Sequence, residues 1–292
     1  MSDTQHKHAY LLIAHTNFEQ LQTLIDLLDD ERNDIYLHID KKAKNSPVFT
    51  TKHSPVHRIK PINVVWGGHS QIFCELKLME AAAGGHYQYY HLISGMDLPL
   101  KTQDEIHEFF RENNGKEFMY IDHKGCQNGM FRKWAQHYYF FGNLGFNTRK
   151  KIGHGLRLID RMLAKVQQAL HIYREPIFPL YKGSQWFSIT DGLLQYVLSQ
   201  KAAIRKQFRY TFLMDEVFLL SVAMSSPMRE HIVDNSLRAI DWDRGLPYTY
   251  RKEDVPMLLA SGNLWGRKFD QRVDAEAIEM IAAHFQKPAD HI

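Results

Sequence analysis

The first forty residues of the chain alternate between two mainly apolar runs and one amphipathic segment. The first run extends from Ala9 to Ala14, and the second extends from Ile35 to Ile39 and ends at Asp40. Apolar residues between these runs recur at the spacing of one helix face: Phe18, Leu21, Ile25 and Leu28. A strand, a helix and a strand in this order predict a parallel sheet, because parallel neighbours need a crossover connection.

The same alternation continues as far as Asp122. A further strand is predicted over Tyr89 to Ser94, and helices are predicted after Ser70 and after Thr102. Helix starts carry the capping-box spacing twice, as Thr16 with Glu19 and Thr102 with Glu105. Ligands of such sheets gather at the carboxyl ends of the strands, so residues 1–122 are predicted to form a nucleotide-binding half.

The second half is less regular. A strand is predicted over Gln185 to Ile189 and a helix over Asp215 to Ala223. No linker rich in Gly, Ser or Pro separates the halves, so we expect one domain over residues 1–292, with acceptor and catalytic functions in residues 123–292. The 292 residues are 44% hydrophobic, which suffices for a sizeable core.

Composition narrows the class of protein. The 36 basic and 33 acidic residues nearly balance, which argues against nucleic acid as a partner. Two cysteines, Cys74 and Cys126, are too few for a disulfide framework and favour a reducing cytoplasm. We expect neither a signal peptide nor a membrane span, because no apolar stretch reaches 18 residues.

Several motifs together resemble those of the core 2/I-branching β-1,6-N-acetylglucosaminyltransferase family, glycosyltransferase family 14. The resemblance spans nearly the whole chain, and the order and spacing of the motifs make it specific. It is carried by Leu37-His38-Ile39-Asp40-Lys41-Lys42, Trp66-Gly67-Gly68-His69-Ser70, Ser94-Gly95-Met96-Asp97-Leu98-Pro99-Leu100-Lys101-Thr102, Gly183-Ser184-Gln185-Trp186-Phe187, Asp215-Glu216-Val217-Phe218-Leu219 and Leu264-Trp265-Gly266-Arg267-Lys268-Phe269-Asp270.

The resemblance implies an α/β fold of the GT-A type with a mostly parallel central sheet. It also implies inverting transfer from a UDP-sugar to a saccharide hydroxyl, with no metal cofactor. GlcNAc is the expected sugar, although galactose, glucose and xylose stay open. The animal relatives are Golgi membrane proteins with several disulfides, so the few cysteines here indicate a bacterial cytoplasmic branch acting in surface polysaccharide or lipopolysaccharide synthesis.

By resemblance, Glu216 is the catalytic base that takes the proton of the acceptor hydroxyl. Taken alone, Asp215 and Glu216 also fit first-turn acids that complement the dipole of a helix. Lys268 matches the family's diphosphate-binding lysine, and an ammonium group suits phosphate as a compact charge. Arg251 and Arg244 are both candidates for the partner arginine of this clamp.

Two alternatives stay open at this point. Asp241-Trp242-Asp243 is a DxD sequence, which in a metal-dependent transferase holds Mg²⁺ or Mn²⁺ with the donor phosphates. It comes after the presumed base rather than at a strand end of the first half, which favours a turn with Trp242 facing the acceptor. The other alternative is a non-catalytic module that binds nucleotide sugars or glycans.

The remaining candidates fall into two groups. Residues expected to contact the nucleotide or donor sugar are His15, Asp40, Trp66, Gly67 and Asp97. Among those expected to contact the acceptor, Lys133 and Trp134 resemble the family's acceptor-contacting Arg-Trp pair, and Ser184 and Trp186 are expected to line the same cleft. Trp242 completes this group, since aromatic faces stack on sugars. Asp97 has the alternative role of bracing its own loop, Asp40 that of capping the turn before Lys41-Lys42, and His15 that of local packing.

One predicted helix lies outside these motifs, over residues 150–170. Its apolar stripe is Ile152, Leu156, Ile159, Leu163, Val166 and Leu170, and its basic residues are Lys150, His154, Arg157, Arg161 and Lys165, preceded by Arg149. A cationic amphipathic helix of this kind can lie on anionic lipid. The alternative is a surface helix whose stripe packs on the protein's own core. On the first interpretation, the protein contacts the inner face of the membrane peripherally and takes a glycolipid acceptor.

Overall fold

The computed structural model describes residues 6–144 and 151–286. Within these ranges the strands are β1 (His8–Ala14), β2 (Asn33–Ile39), β3 (Val56–Arg58), β4 (Tyr89–Ser94), β5 (Asp97–Pro99), β6 (Glu117–Ile121), β7 (Gly183–Thr190), β8 (Ile232–Asp234), β9 (Arg238–Ile240) and β10 (Trp265–Arg267). The helices are α1 (Phe18–Leu27), α2 (Ser70–Ala82), α3 (Gln103–Glu112), α4 (His123–Asn128), α5 (Met130–Gln136), α6 (Lys151–Ala169), α7 (Asp191–Ser199), α8 (Lys201–Phe208), α9 (Asp215–Ala223), α10 (Val255–Ala260) and α11 (Ala275–Gln286).

The central sheet has seven strands in the order β3-β2-β1-β4-β7-β6-β8. β3, β2, β1 and β4 run parallel, β7 runs antiparallel to both of its neighbours, and β8 pairs in parallel with β6. A smaller sheet joins β5, β10 and β9. The predicted α/β class with a mostly parallel central sheet is confirmed.

Helices cover both faces of the central sheet. On one face the core contains apolar side chains of α2, α7, α8 and α9, and on the other it contains those of α1, α3, α10 and α11. β1 and β4 are therefore buried from both sides, and Tyr10, Leu11 and Leu12 have no exposed surface. Burial on both faces explains why these strands are continuous apolar runs rather than alternating ones.

The two predicted capping boxes differ in outcome. Thr102 caps α3 as expected: its side chain accepts from the backbone of Glu105, and the Glu105 side chain accepts from the backbone of Thr102. The prediction for α1 is wrong, because its N-cap is Asn17, which has a φ of 54° and makes no side-chain capping bond. The Asn17 amide instead donates to Asp270 at 2.9 Å, since a tertiary partner competes for it.

The helix predicted over residues 150–170 forms as α6, but its faces are not the expected ones. Leu156 and Leu163 are half-buried, whereas Ile159, Val166 and Leu170 are exposed. Arg149 and Lys150, as well as the side chains of Ile152 and His154, lie outside the described residues. The apolar stripe is therefore split between the protein and the solvent.

Across the described residues, no helix is both long enough and apolar enough to cross a membrane.

Candidate active site

A cleft of about 1130 Å³ lies at the edge of the sheet where the parallel strands end. The carboxyl ends of β1, β2 and β4 contribute three sides of it, through His15, Asp40 and Gly95 respectively. Among the residues that the sequence predicted for the site, those that line the cleft are His15, Asp40, Trp66, Ser184, Trp186, Glu216 and Trp242. The carboxyl ends of the parallel strands thus meet at one edge of the sheet, where ligands of such sheets bind.

The second half reaches this edge because β7 is antiparallel. The amino end of β7 therefore lies beside the carboxyl ends of the parallel strands, and Ser184, Gln185 and Trp186 line the cleft. At Gly183 an added Cβ would lie 2.3 Å from the backbone oxygen of Tyr120 and 3.0 Å from Leu220. Only glycine allows β7 to pack this closely against β6 and α9.

Glu216 lies in the first turn of α9 and points into the cleft. Desolvation raises the pKa of its carboxyl, and the nearby ammonium group of Lys182, 3.7 Å away, opposes that rise; the net shift is upward. Lys182 also pairs with Asp122 at 2.6 Å. Glu216 is thus a partly shielded carboxylate beside one cation, with its side chain 44% exposed to the cleft.

Asp215 holds the start of α9 to the first half of the chain. Its carboxylate accepts from the Gln71 amide at 3.1 Å, and Gln71 accepts from the backbone N–H of Gly67. Gly67 itself has a φ of 71°, and its carbonyl accepts from Leu213 at 2.9 Å. Burial raises the pKa of Asp215 to about 7, and the negative charge of Glu216 adds to the rise.

This arrangement changes the role expected of Gly67. Gly67 is buried and does not line the cleft, whereas its neighbour Trp66 does and is 54% exposed. The conformation of Gly67 allows the loop to turn toward the segment before α9. Its role is conformational rather than a direct donor contact.

Asp40 and His15 face each other across the ends of β2 and β1. The Asp40 carboxylate accepts the backbone N–H groups of Lys42 at 2.8 Å and Val64 at 3.2 Å, and it pairs with the Lys42 ammonium at 3.2 Å. Desolvation lowers the pKa of His15, although the charge of Asp40 partly offsets it. A neutral imidazole and a fixed carboxylate offer both donors and acceptors to a polar ligand.

Asp97 does not reach the cleft. Its side chain has no exposed surface; it accepts the backbone N–H of Ser94 at 2.9 Å and pairs with Arg267 at 2.6 Å. Arg267 lines the cleft and stacks over the ring of Trp186, 4.0 Å from its centroid. In this geometry Asp97 makes no contact with the cleft, and its carboxylate braces its loop and orients Arg267.

The three residues predicted to clamp a diphosphate do not line the cleft. Lys268 is half-buried, and its carbonyl accepts from Tyr250 at 2.9 Å, while Arg251 is exposed. Arg244 is held elsewhere, because it pairs with Asp241 and Asp254 and stacks 4.1 Å from the centroid of Tyr248. The cations that do line the cleft are Arg267 and Lys42.

The DxD sequence lies in a turn in which Asp241 already has partners. The Asp241 carboxylate accepts backbone N–H groups of Asp243 and Arg244 at 2.9 Å and also binds the Arg244 guanidinium. Asp243 is exposed, and neither aspartate lines the cleft, although Trp242 between them does. In the part of the chain that the structure describes, no group of three or more His, Cys, Asp or Glu side chains could together hold a metal ion.

The predicted acceptor residues are divided between the cleft and the surface. Lys133 is exposed on α5, and the ring centroid of Trp134 lies 6.1 Å from that of Phe212. Neither residue lines the cleft. Trp242 and Leu246 form an exposed wall, with 57% and 90% of their surfaces accessible. The exposed indole of Trp242 lines the cleft together with those of Trp66 and Trp186.

Five residues that line the cleft or contact its lining residues were not predicted from the sequence. These are Lys42, Gln71, Lys182, Gln185 and Arg267. The sequence carried a usable signal for four of them, because Lys42, Gln185 and Arg267 lie within the motifs of the resemblance and Lys182 directly precedes one. Gln71 carried none, since its bond to Asp215 joins residues 144 positions apart.

The family model described as "Core-2/I-Branching enzyme" matches residues 8–258 of the chain. Xylosyltransferase 2 of Rattus norvegicus is 25% identical over 94% of the chain, and xylosyltransferase 1 of Mus musculus is 23% identical over 94%. The chain spans only 33% and 30% of the lengths of these relatives. A solved structure, apo mouse xyloside xylosyltransferase 1, aligns over 89% of the chain and 96% of its own, at 9% identity and a TM-score of 0.34.

Proposed function

We propose that this chain, which belongs to the Core-2/I-Branching enzyme family, is a glycosyltransferase that moves a sugar from a UDP-sugar to a hydroxyl of a saccharide acceptor. The observation that carries the proposal is the position of Glu216 in a cleft bounded by strand ends on one side and aromatic side chains on the other. A direct displacement requires a base for the acceptor proton, together with stabilisation of the charge on the leaving group.

The proposed reaction is a single inverting displacement. The acceptor oxygen forms a bond to the anomeric carbon while the bond from that carbon to the diphosphate oxygen breaks. Glu216 takes the proton from the acceptor hydroxyl, and the bonding electrons leave with UDP. The upward pKa shift of Glu216 supports this role, because a base with a pKa nearer neutrality accepts a proton more readily.

We propose that side-chain cations, rather than a metal ion, stabilise the leaving diphosphate. Lys268, with Arg251 or Arg244, stays the predicted clamp, and Arg267 and Lys42 are the cations on the cleft wall itself. The engagement of Asp241 by Arg244 supports this choice, because the DxD carboxylate already has a cationic partner. His15 and Asp40 are proposed to bind the nucleoside.

The identity of the sugar and of the acceptor is a finer proposal. GlcNAc is favoured as the donor sugar, with xylose the first alternative, since the matched relatives are named xylosyltransferases. The proposed setting is a bacterial enzyme of surface polysaccharide or lipopolysaccharide synthesis, in the cytoplasm and at the inner face of the membrane. Cell fractionation of the native host tests the location.

UDP release from a panel of UDP-sugars, measured with and without EDTA, tests the proposal. We expect one donor to give enzyme-dependent UDP release that is unchanged by EDTA and increased by a saccharide acceptor. Loss of activity in EDTA that Mg²⁺ or Mn²⁺ restores would support a metal-dependent transferase instead. UDP binding without turnover of any donor would support a binding module.

A further inference from the structure

Helix α6 buries polar side chains and exposes apolar ones, which reverses the usual pattern of a surface helix. Asp160 is 1% exposed and accepts the backbone N–H groups of Phe140 and Phe141 at 3.0 and 3.1 Å. Gln167 is 8% exposed and bonds to the backbone of Tyr138 at 2.8 and 3.0 Å. The side of α6 that holds it to the protein is therefore anchored by hydrogen bonds.

The outward side of α6 is a continuous apolar surface. At about 100° per residue, its large exposed side chains fall within a sector of roughly 120°. We call this surface the α6 face; it consists of Leu158, Ile159, Met162, Val166 and Leu170, which are 45% to 64% exposed. Contiguous exposed apolar surface of this kind marks an interaction site.

Cations border the α6 face. Arg161 and Lys165 are exposed and lie within about 60° of Leu158 around the helix, on the side away from Ile159. Asp160 is the single acidic residue of α6, and it is buried against the protein. An apolar strip with a basic border and no exposed acid of its own complements the acyl chains and phosphates of an anionic bilayer.

Helix α6 also lies near the cleft. The short turn Gly142–Leu144 packs on α6, and Leu144 is 64% exposed while lining the cleft. Phe140, just before this turn, is 49% exposed. A bilayer bound to the α6 face would therefore lie near the cleft that we propose for the acceptor.

We propose that the α6 face binds the surface of an anionic lipid bilayer, and that the acceptor is an amphiphile whose saccharide head reaches the cleft from that surface. This inference rests on the proposed function only for the nature of the acceptor. The lipid contact is independent of it. A protein bound to the bilayer in this way would encounter its acceptor by diffusion within the plane of the membrane.

Vesicle co-sedimentation of the full chain tests the lipid contact without any turnover. We expect the chain to pellet with vesicles of phosphatidylcholine and phosphatidylglycerol, and at least about tenfold less with phosphatidylcholine alone, because the basic border needs anionic phosphate. The triple variant Leu158→Ser, Met162→Ser and Val166→Ser should lose at least about tenfold in partitioning, as apolar burial drives insertion. Its melting temperature should match that of the native chain, because these side chains are exposed.

Two controls separate the lipid contact from other occupants. The matched variant Met257→Ser with Met280→Ser changes exposed apolar residues elsewhere and should pellet like the native chain. Failure of the native chain to pellet at low salt, or equal pelleting of the triple variant, would overturn the proposal. So would a dimer in sedimentation velocity that the triple variant converts to a monomer, because the occupant would then be a second copy.

UDP release with a water-soluble acceptor distinguishes this inference from the proposed function. The triple variant should retain that activity within about twofold, since the α6 face contacts no reacting group. With a lipid-linked acceptor in anionic vesicles, its rate should fall at least about tenfold relative to the native chain. Pelleting of a chain that is inactive with every donor would uphold the lipid contact and sink the transferase assignment.

Discussion

The two walls of the cleft are built in different ways. On the side proposed for the donor, His15 and Asp40 follow buried strands, and the backbone N–H of Asp40 donates to Ala14 at 2.9 Å. On the side proposed for the acceptor, Trp242 and Leu246 lie on an exposed loop. A wall of strand ends is fixed by the packing of the core, whereas a loop wall can change without disturbing that core. The comparison teaches that the two walls of one cleft can be under different structural constraints.

The largest expected effect comes from Glu216, which lies between the two walls. Glu216→Gln should lower kcat by about 10² to 10⁴-fold, the usual contribution of a general base. UDP affinity, measured by calorimetry, should stay within about twofold, because the donor wall is untouched. Glu230→Gln, at an 82% exposed side chain, is the matched control and should keep full activity. Near-native turnover of Glu216→Gln would remove the assignment of the base.

The next prediction concerns the stability that the Arg267–Asp97 ion pair contributes. Arg267→Met leaves the buried Asp97 carboxylate without its partner, so we expect a loss of roughly 3 kcal/mol in the free energy of unfolding. Arg244→Met breaks solvent-screened pairs and should lower the free energy of unfolding much less. Urea denaturation measures both. Equal costs would mean that the Arg267–Asp97 pair is not a structural brace.

Lys182 should affect the pH dependence of the reaction. Its charge lowers the pKa of Glu216 against the rise caused by desolvation, so Lys182→Met should raise that pKa further. The base works only when deprotonated; the ascending limb of the kcat profile therefore moves to higher pH. We expect a several-fold loss at pH 6 that recovers at alkaline pH.

Lys182→Arg is the control for this shift, since it keeps a cation near Glu216 and should leave the pH profile close to native. A loss in Lys182→Met that is the same at every pH would contradict an electrostatic role and indicate a structural one.

The smallest expected effect lies on the loop wall. Trp242→Ala should raise the acceptor KM by about fivefold, on the scale of one aromatic stacking contact, and leave the donor KM unchanged. Unfolding free energy should change by less than about 0.5 kcal/mol because Trp242 is 57% exposed. A larger effect on the donor KM than on the acceptor KM would reverse the assignment of the walls.

The parts of the fold that follow from local pattern were predictable. α9 begins and ends at the predicted residues, and β4 matches its predicted bounds, because apolar runs and helix-start acids are local signals. The donor wall followed from them, since strand ends converge wherever strands are parallel. The N-cap of α1 was not predictable in this way, because the side chain of Asn17 hydrogen-bonds to Asp270, which is distant in sequence.

The rest of the site depends on long-range pairing. Asp97 had two roles open to it, and only the approach of Arg267 from a separate strand selects the bracing role. The faces of α6 were assigned from apolar periodicity, which cannot show that Asp160 and Gln167 would find backbone partners in residues 138–141. Polar residues on a helix predict exposure only when nothing on the protein side satisfies them.

The link from Gly67 through Gln71 to Asp215 has a consequence for redesign. Since α9 is held by Gly67 and Gln71 in the first half of the chain, the position of Glu216 does not depend on the loop that carries Trp242 and Leu246. Replacing residues 241–248 with loops of other lengths should therefore yield transferases with altered acceptor preference and an unaltered base. The protein thus combines a helix α9 that is fixed by long-range hydrogen bonds with a surface loop that can be replaced.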